Sequence, residues 1–320
     1  MSCCCICLVV AALIFLPLFI LYLYLRLTVG RYSSDVDLTA KTVIITGANV
    51  GIGFETALDL ATRNARIIFA CRNLEKAEQA KQKIFEETGN RQLIVKHLDL
   101  ASLDSVRKFS AEILKEENRL DILINNAGVV EVTPQKTKDG FEMMFGVNHL
   151  GHFLLTLLLK DLLMKSAPSR VVVVSSVAHM WAKITASEIT ADRLNTYNRS
   201  QYGVSKLMNI LFTRELSQQW KDSGVTVNAL HPGAVQSELL RNLPPVLQFM
   251  FDKILCKIFY KTTKEGAQTS IYVAVAPELK HVTGEYFSDC KISKRLLEIA
   301  RDDGVAKKVW EISEQFCGLK

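Results

Sequence analysis

Residues 42–53 read TVIITGANVGIG, and this stretch decides the fold. The five residues from Thr42 to Thr46 are all β-branched, the pattern of a strand covered on both faces. Gly47, Gly51 and Gly53 then punctuate a turn, and a helix is predicted from it through about Arg63. Such a turn lets backbone approach a pyrophosphate, and the helix N-terminus favours its negative charge. The spacing is G-x-x-x-G-x-G rather than the common G-x-G-x-x-G, so the turn alone does not separate a phosphate cradle from a plain tight turn.

The rest of the chain repeats the alternation. Strands are predicted at 66–70, 92–98, 120–125, 170–176, 225–231 and 284–289. Helices are predicted at 73–88, 103–118, 141–165, 202–221, 262–276 and 293–316. The 262–276 helix opens on Thr262-x-x-Glu265, a capping box. Asn64, just before the second strand, tolerates the left-handed backbone a tight turn needs. The expectation is an α/β doubly wound parallel sheet of the Rossmann type, one domain over 30–320. Lys and Arg number 39 against 33 Asp and Glu, but the signs are interleaved, as in RNLEKAEQAKQKIFEETGNR. These are solvated helix faces, which excludes a nucleic-acid stripe. Of eight cysteines, four crowd positions 3, 4, 5 and 7, and Cys71, Cys256, Cys290 and Cys317 stand alone. Neither a disulfide framework nor a zinc or other metal site follows.

No charged residue occurs from Met1 to Leu25, and 3–25 is almost wholly apolar. A bilayer-spanning helix needs about 20 such residues, whereas a cleaved signal has a basic start and a shorter apolar core. Residues 1–29 are therefore predicted to be a membrane anchor. Arg26, Arg31 and Lys41 follow it and none precedes it, which puts the following domain in the cytosol. Palmitoylation of the cysteine cluster would need a cytosolic N-terminus, so a single span and a monotopic insertion both stand open.

Position along the sheet assigns further residues. Asp99 ends the third strand and Asn125-Asn126-Ala127-Gly128 the fourth, at the carboxyl edge where open α/β sheets bind ligands. At the end of the second strand an acid would grip a ribose 2′-hydroxyl, but the chain offers Arg72. A guanidinium suits a 2′-phosphate, so NADP(H) is favoured over NAD(H).

Tyr202-Gly-Val-Ser-Lys206 places a phenol and an ammonium on one helix face. A neighbouring cation favours phenolate and brings a tyrosine toward useful general acid/base chemistry. Tyr260 and Lys264 share that spacing, but only Tyr202 follows a strand that ends in Ser175-Ser176. His149 and His152 read as packing or capping residues. His179 and Trp181 read either as pocket lining or as surface loop.

In their order, TGxxxGxG, Asp99, NNAG, Asn148, Ser176, Tyr202-x-x-x-Lys206 and His231-Pro232-Gly233 resemble the short-chain dehydrogenase/reductase family over about 41–289. The stretches ACRN, VNHLGHF, VVVSSVAH and HPGAVQSEL are similar to its retinol dehydrogenase group. The resemblance implies that Tyr202 protonates the substrate oxygen and that Lys206 lowers its pKa and holds the nicotinamide ribose. Ser176 would bind substrate oxygen, and Asn148 would hold a relay water. Cofactor contacts are implied for Thr46, Gly47, Asn49, Val50, Gly51, Ile52, Gly53, Arg72, Asp99, Leu100, Asn126, Ala127, Gly128, Pro232, Gly233 and Val235, with Tyr202 and Lys206. Val50 stands where the family commonly has a small polar residue, which removes a phosphate-side hydrogen bond.

The implied reaction is oxidoreduction of a lipophilic alcohol and its aldehyde or ketone, retinol/retinal-like, at an endoplasmic reticulum membrane. A sterol or other lipid alcohol dehydrogenase is the alternative, and a non-catalytic membrane scaffold a third reading. The family's substrate lid falls at about 235–262. Within it Leu247, Met250, Phe251, Ile254, Leu255, Ile258 and Phe259 recur at helical spacing. That face either packs on the core or rests on the membrane.

Overall fold

The computed structural model describes residues 27–235 and 260–319, together with 16, 17, 19, 20, 22 and 23. Among the described residues no helix is long and apolar enough to cross a membrane. Most of the apolar 3–25 stretch and the apolar lid residues between 246 and 259 lie outside them.

The strands form where β-branched runs predict them. They are β1 (Thr42–Thr46), β2 (Arg66–Cys71), β3 (Leu93–His97), β4 (Ile122–Asn125), β5 (Ser169–Val174), β6 (Val225–His231), β7 (Tyr286–Ser288) and β8 (Lys291–Ile292). The sheet order is β3-β2-β1-β4-β5-β6-β7-β8. All pairs are parallel except β7 with β8, an antiparallel addition the sequence reading did not contain. The chain winds outward from β1 to β3, then restarts at β4 on β1's other side. That reversal opens a crevice at the carboxyl ends of β1 and β4, the place where such sheets bind ligands.

The main helices are α1 (Gly51–Thr62), α2 (Leu74–Thr88), α3 (Leu103–Glu116), α4 (Gly151–Leu158), α5 (Gln201–Gln219), α6 (Thr263–Val275) and α7 (Asp303–Phe316). Side chains of α1, α2 and α6 cover one face of the sheet, with Val43 and Ile45 of β1 beneath them. Those of α3, α4, α5 and α7 cover the other, over Ile44. Successive β1 side chains thus enter two separate cores, which is why no polar alternation appears in the sequence. Asn64 has φ 66°, as the turn requires. The Thr262–Glu265 capping box is present with both reciprocal bonds.

Two predicted helices are corrected. The one expected over 141–165 starts at Met143, passes through a π turn at Gly146–Leu150 and is interrupted at Leu159 between α4 and Lys160–Lys165. The one expected over 293–316 begins only at Asp303, because the Asp302 carboxylate caps Val305 N–H and starts a new helix. A short 3-10 turn, Glu298–Arg301, precedes it.

Candidate active site

The crevice is floored by the glycine-rich turn. Val50 is the N-cap of α1 and has no side-chain acceptor to offer, so the first N–H groups of the helix receive no side-chain cap. Gly51 lies at φ +60° with nothing within 4 Å of where a Cβ would stand. At Gly53 a Cβ would come 2.4 Å from the Gly47 carbonyl oxygen and 2.6 Å from Asn126 Nδ2, so only hydrogen lets α1 press on the turn. Open space beside uncapped amides fits a dinucleotide's phosphates.

The loop after β4 is sewn to that turn. Thr46 Oγ1 accepts from the backbone N–H groups of Asn126 and Ala127, each at 2.9 Å. Asn126 Nδ2 donates to the Thr46 carbonyl at 2.9 Å, and Asn125 Nδ2 to Thr156 Oγ1 at 2.9 Å. Asn126 therefore shapes the cradle with its side chain. The Leu100 side chain is buried against Gly151. Asp99 carries an unforeseen partner: Lys138 Nζ lies 2.9 Å from its carboxylate. Burial pushes the Asp99 carboxyl up, but Lys138, the Ala101 N–H and the charge of Arg72 outweigh it and hold it below the usual range. Arg72 is exposed, and its guanidinium makes no hydrogen bond or ion pair among the described residues.

On the far wall, Val235 and Ile52 meet over Gly266, where a Cβ would lie 2.6 Å from Val235 Cγ2 and 3.3 Å from Ile52 Cγ1. This brings the stretch after Pro232 onto the start of α1. His231 Nδ1 accepts from Gly233 N–H at 3.0 Å, and burial pushes His231 down to about 4, which keeps that acceptor bare. Val235 forms a parallel bridge with Lys261, whose ammonium pairs with Asp289 at 2.5 Å. The same carboxylate oxygen accepts Gly30 N–H at 3.0 Å, so the chain leaving the predicted anchor is fastened beside the site.

Helix α5 delivers Tyr202 and Lys206, and β5 ends beside them. The Ser176 hydroxyl lies beside the Tyr202 phenol and favours its ionised form, and its Oγ accepts Ala178 N–H at 3.1 Å. Ser175 instead donates to the Lys206 carbonyl at 2.7 Å, so its hydroxyl pins α5 to the strand. Lys206 is buried, with Nζ donating to the Val174 carbonyl at 2.9 Å. Burial pushes its ammonium down to about 8. Nζ stands 5.9 Å from the Tyr202 ring centre. The expectation that Lys206 draws Tyr202 down is not met here: burial pushes the phenol up, opposed only by the Ser176 contact. A Cβ on Gly128 would lie 3.4 Å from both Lys206 Nζ and Asn148 Oδ1, so the three converge.

Asn148 sits in the π turn with its side chain held by three hydrogen bonds. Oδ1 accepts Val129 N–H at 2.8 Å, and Nδ2 donates to the Val129 carbonyl and Ser205 Oγ, each at 3.0 Å. His179 is buried, its Nδ1 donating to the Ser176 carbonyl at 2.7 Å, whereas Trp181 is 68% exposed. The surface reading holds for Trp181 and not for His179. Tyr260 lies before α6, on the bridge-side end of the Lys261 segment, and not on the element that follows Ser176. Sequence reasoning missed Lys138, the Asp289 junction and the contact between His152 and Thr46.

Residues 41–246 match the short chain dehydrogenase family. Retinol dehydrogenase 14 of Mus musculus is 50% identical over 291 residues, covering 87% of this chain and 86% of its own. Retinol dehydrogenase 13 of Homo sapiens is 47% identical, covering 92% and 89%. A crystal structure of an uncharacterised protein from Mycobacterium paratuberculosis superposes with a TM-score of 0.69 at 32% identity, covering 90% of this chain and 98% of its own. A family match over most of the domain, with relatives alike over most of their length, leaves one conclusion: the chain belongs to the short chain dehydrogenase family and is an NAD(P)-dependent oxidoreductase acting on CH–OH groups.

Proposed function

We propose that the protein interconverts a lipophilic alcohol and its aldehyde or ketone, retinol/retinal-like, using NADP(H), from an anchor in the endoplasmic reticulum membrane. The observation that carries this is the convergence of Ser176, Tyr202 and Lys206 beside Gly128 and Asn148, across from the glycine-rich turn. The cofactor supplies or accepts the hydride at the carbonyl carbon. Ser176 and Tyr202 hydroxyls hold the substrate oxygen, and in reduction Tyr202 gives it a proton. Lys206, freed from the Val174 carbonyl, binds ribose hydroxyls, and its charge then favours the phenolate that remains. Asn148 would hold the relay water. Pro232, Gly233 and Val235 would hold the nicotinamide side. Kinship to retinol dehydrogenases supports the substrate class. A turnover assay with NADPH and a panel of lipid carbonyls tests the whole reading, and turnover of none of them overturns it.

Exposed Arg72 supports the NADP(H) preference. A charge-assisted bond is worth about 1.5–3 kcal/mol, so Arg72→Ala should weaken NADPH roughly tenfold or more and leave NADH nearly unchanged. Equal losses in titrations of both cofactors would remove the basis for the preference.

Asn198-Arg199-Ser200 is a glycosylation sequon, and the cytosolic orientation predicts that it stays bare. Its side chain already accepts from Ser200 N–H at 2.9 Å and donates to Gln201 Oε1 at 2.5 Å. A glycosidase-sensitive mass shift that Ser200→Ala abolishes would place the domain on the other side of the membrane.

A further inference from the structure

His152 lies in α4, within the VNHLGHF stretch, and is buried between the two halves of the site. Its Nδ1 is 3.1 Å from the Asn148 backbone carbonyl, and its Nε2 is 2.9 Å from Thr46 Oγ1. A carbonyl only accepts, so Nδ1 carries the hydrogen. Burial pushes the imidazole down to about 3, so the ring is neutral and Nε2 is a bare acceptor. Thr46 must then donate its hydroxyl hydrogen to His152. That leaves both lone pairs of Oγ1 for the N–H groups of Asn126 and Ala127, each at 2.9 Å. Every bond in this chain has one possible polarity. The other acceptor near the Thr46 hydroxyl, the Ile124 carbonyl, is at 3.4 Å, too far to replace it well.

We propose that His152 is a positioning residue that sets the Thr46 hydroxyl so that the glycine-rich turn and the Asn126–Ala127 loop are locked into one cofactor cradle. By its other nitrogen it ties that cradle to Asn148, so the cofactor side and the proton-relay side move as one piece. The inference rests on the cofactor placement proposed above for what the cradle holds. The hydrogen-bond chain itself does not depend on that placement.

The test separates the two ring nitrogens. The Nδ2 of an asparagine reproduces the Nδ1 donor, and the Oε1 of a glutamine reproduces the Nε2 acceptor. Amide hydrogen exchange at Asn126 and Ala127 is measured in cofactor-free protein, and NADPH affinity by fluorescence titration. His152→Asn and His152→Leu should speed exchange at both amides and weaken NADPH by about tenfold, the worth of one buried hydrogen bond. His152→Gln should hold both quantities within about twofold of the unaltered protein, far inside the tenfold loss of one bond. Adding His152→Asn to Thr46→Val should cost nothing further, because the bond is already gone. The proposal is overturned if Gln loses as much as Asn, or if the Thr46 and His152 losses multiply. Should the Leu variant fail to fold, the Asn and Gln pair still decides. Altered exchange with unaltered NADPH affinity would sink the cofactor reading while leaving the hydrogen-bond chain standing.

Discussion

Tyr202→Phe should lower turnover by about 10²–10⁴, the usual contribution of a positioned general acid. The change removes one oxygen from a ring whose hydroxyl meets Ser176, and it leaves the glycine-rich turn and Arg72 untouched. NADPH should therefore still bind, which a titration checks independently of turnover. Tyr260→Phe is the control, since that tyrosine follows no serine-bearing strand. Near-normal turnover in the Tyr202 variant, or an equal loss in the control, would mean that the acid is elsewhere.

Lys206→Met should abolish most turnover and at the same time stabilise the cofactor-free protein. Lys206 is only 3% exposed, so solvent does little to screen its charge. Its fall from 10.5 to about 8 corresponds to a burial penalty of about 3 kcal/mol in the charged form. Losing the bond to the Val174 carbonyl returns about 1 kcal/mol of that, so a net gain of about 2 kcal/mol at pH 7 is an upper expectation. Below pH 8 the lysine is charged in both folded and unfolded chains, and the full penalty is present. Between 8 and 10.5 the unfolded chain holds more protons than the folded one, so the unaltered protein gains stability as pH rises. The advantage of the variant should shrink across that window and vanish above it. Thermal melts at several pH values check this, and equal melting temperatures at pH 7 would contradict it.

The strands were readable because burial on both faces leaves an unbroken β-branched run, a signal carried by each strand alone. Helix starts were readable where a side chain caps them locally, as at Asn73 and Thr262. The π turn at Gly146–Leu150 was not, since apolar periodicity is blind to which carbonyl each N–H meets. Nor was the late start of α7: an apolar series in LLEIA continues the period across Asp302, and only the cap reveals the break. In the site, Tyr202 and Lys206 share a helix face, so their spacing gave them away. His152 and Thr46 are 106 residues apart and meet only through the fold. The direction of the Tyr202 shift was also beyond the sequence, because it depends on how deeply α5 is buried and on where Lys206 Nζ turns.

The two-residue strand β8 runs against β7 and bears the exposed Lys291. An open parallel sheet would otherwise end on a row of free amides and carbonyls, a template on which any extended peptide can grow. Here the row is taken up over two register positions and then stopped by a charged side chain. At the opposite margin, Lys96 of β3 is occupied by Glu112 and Glu116, so that border too presents charge. Blunt margins of this kind keep encounters between copies of the chain from zipping into strand-to-strand aggregates.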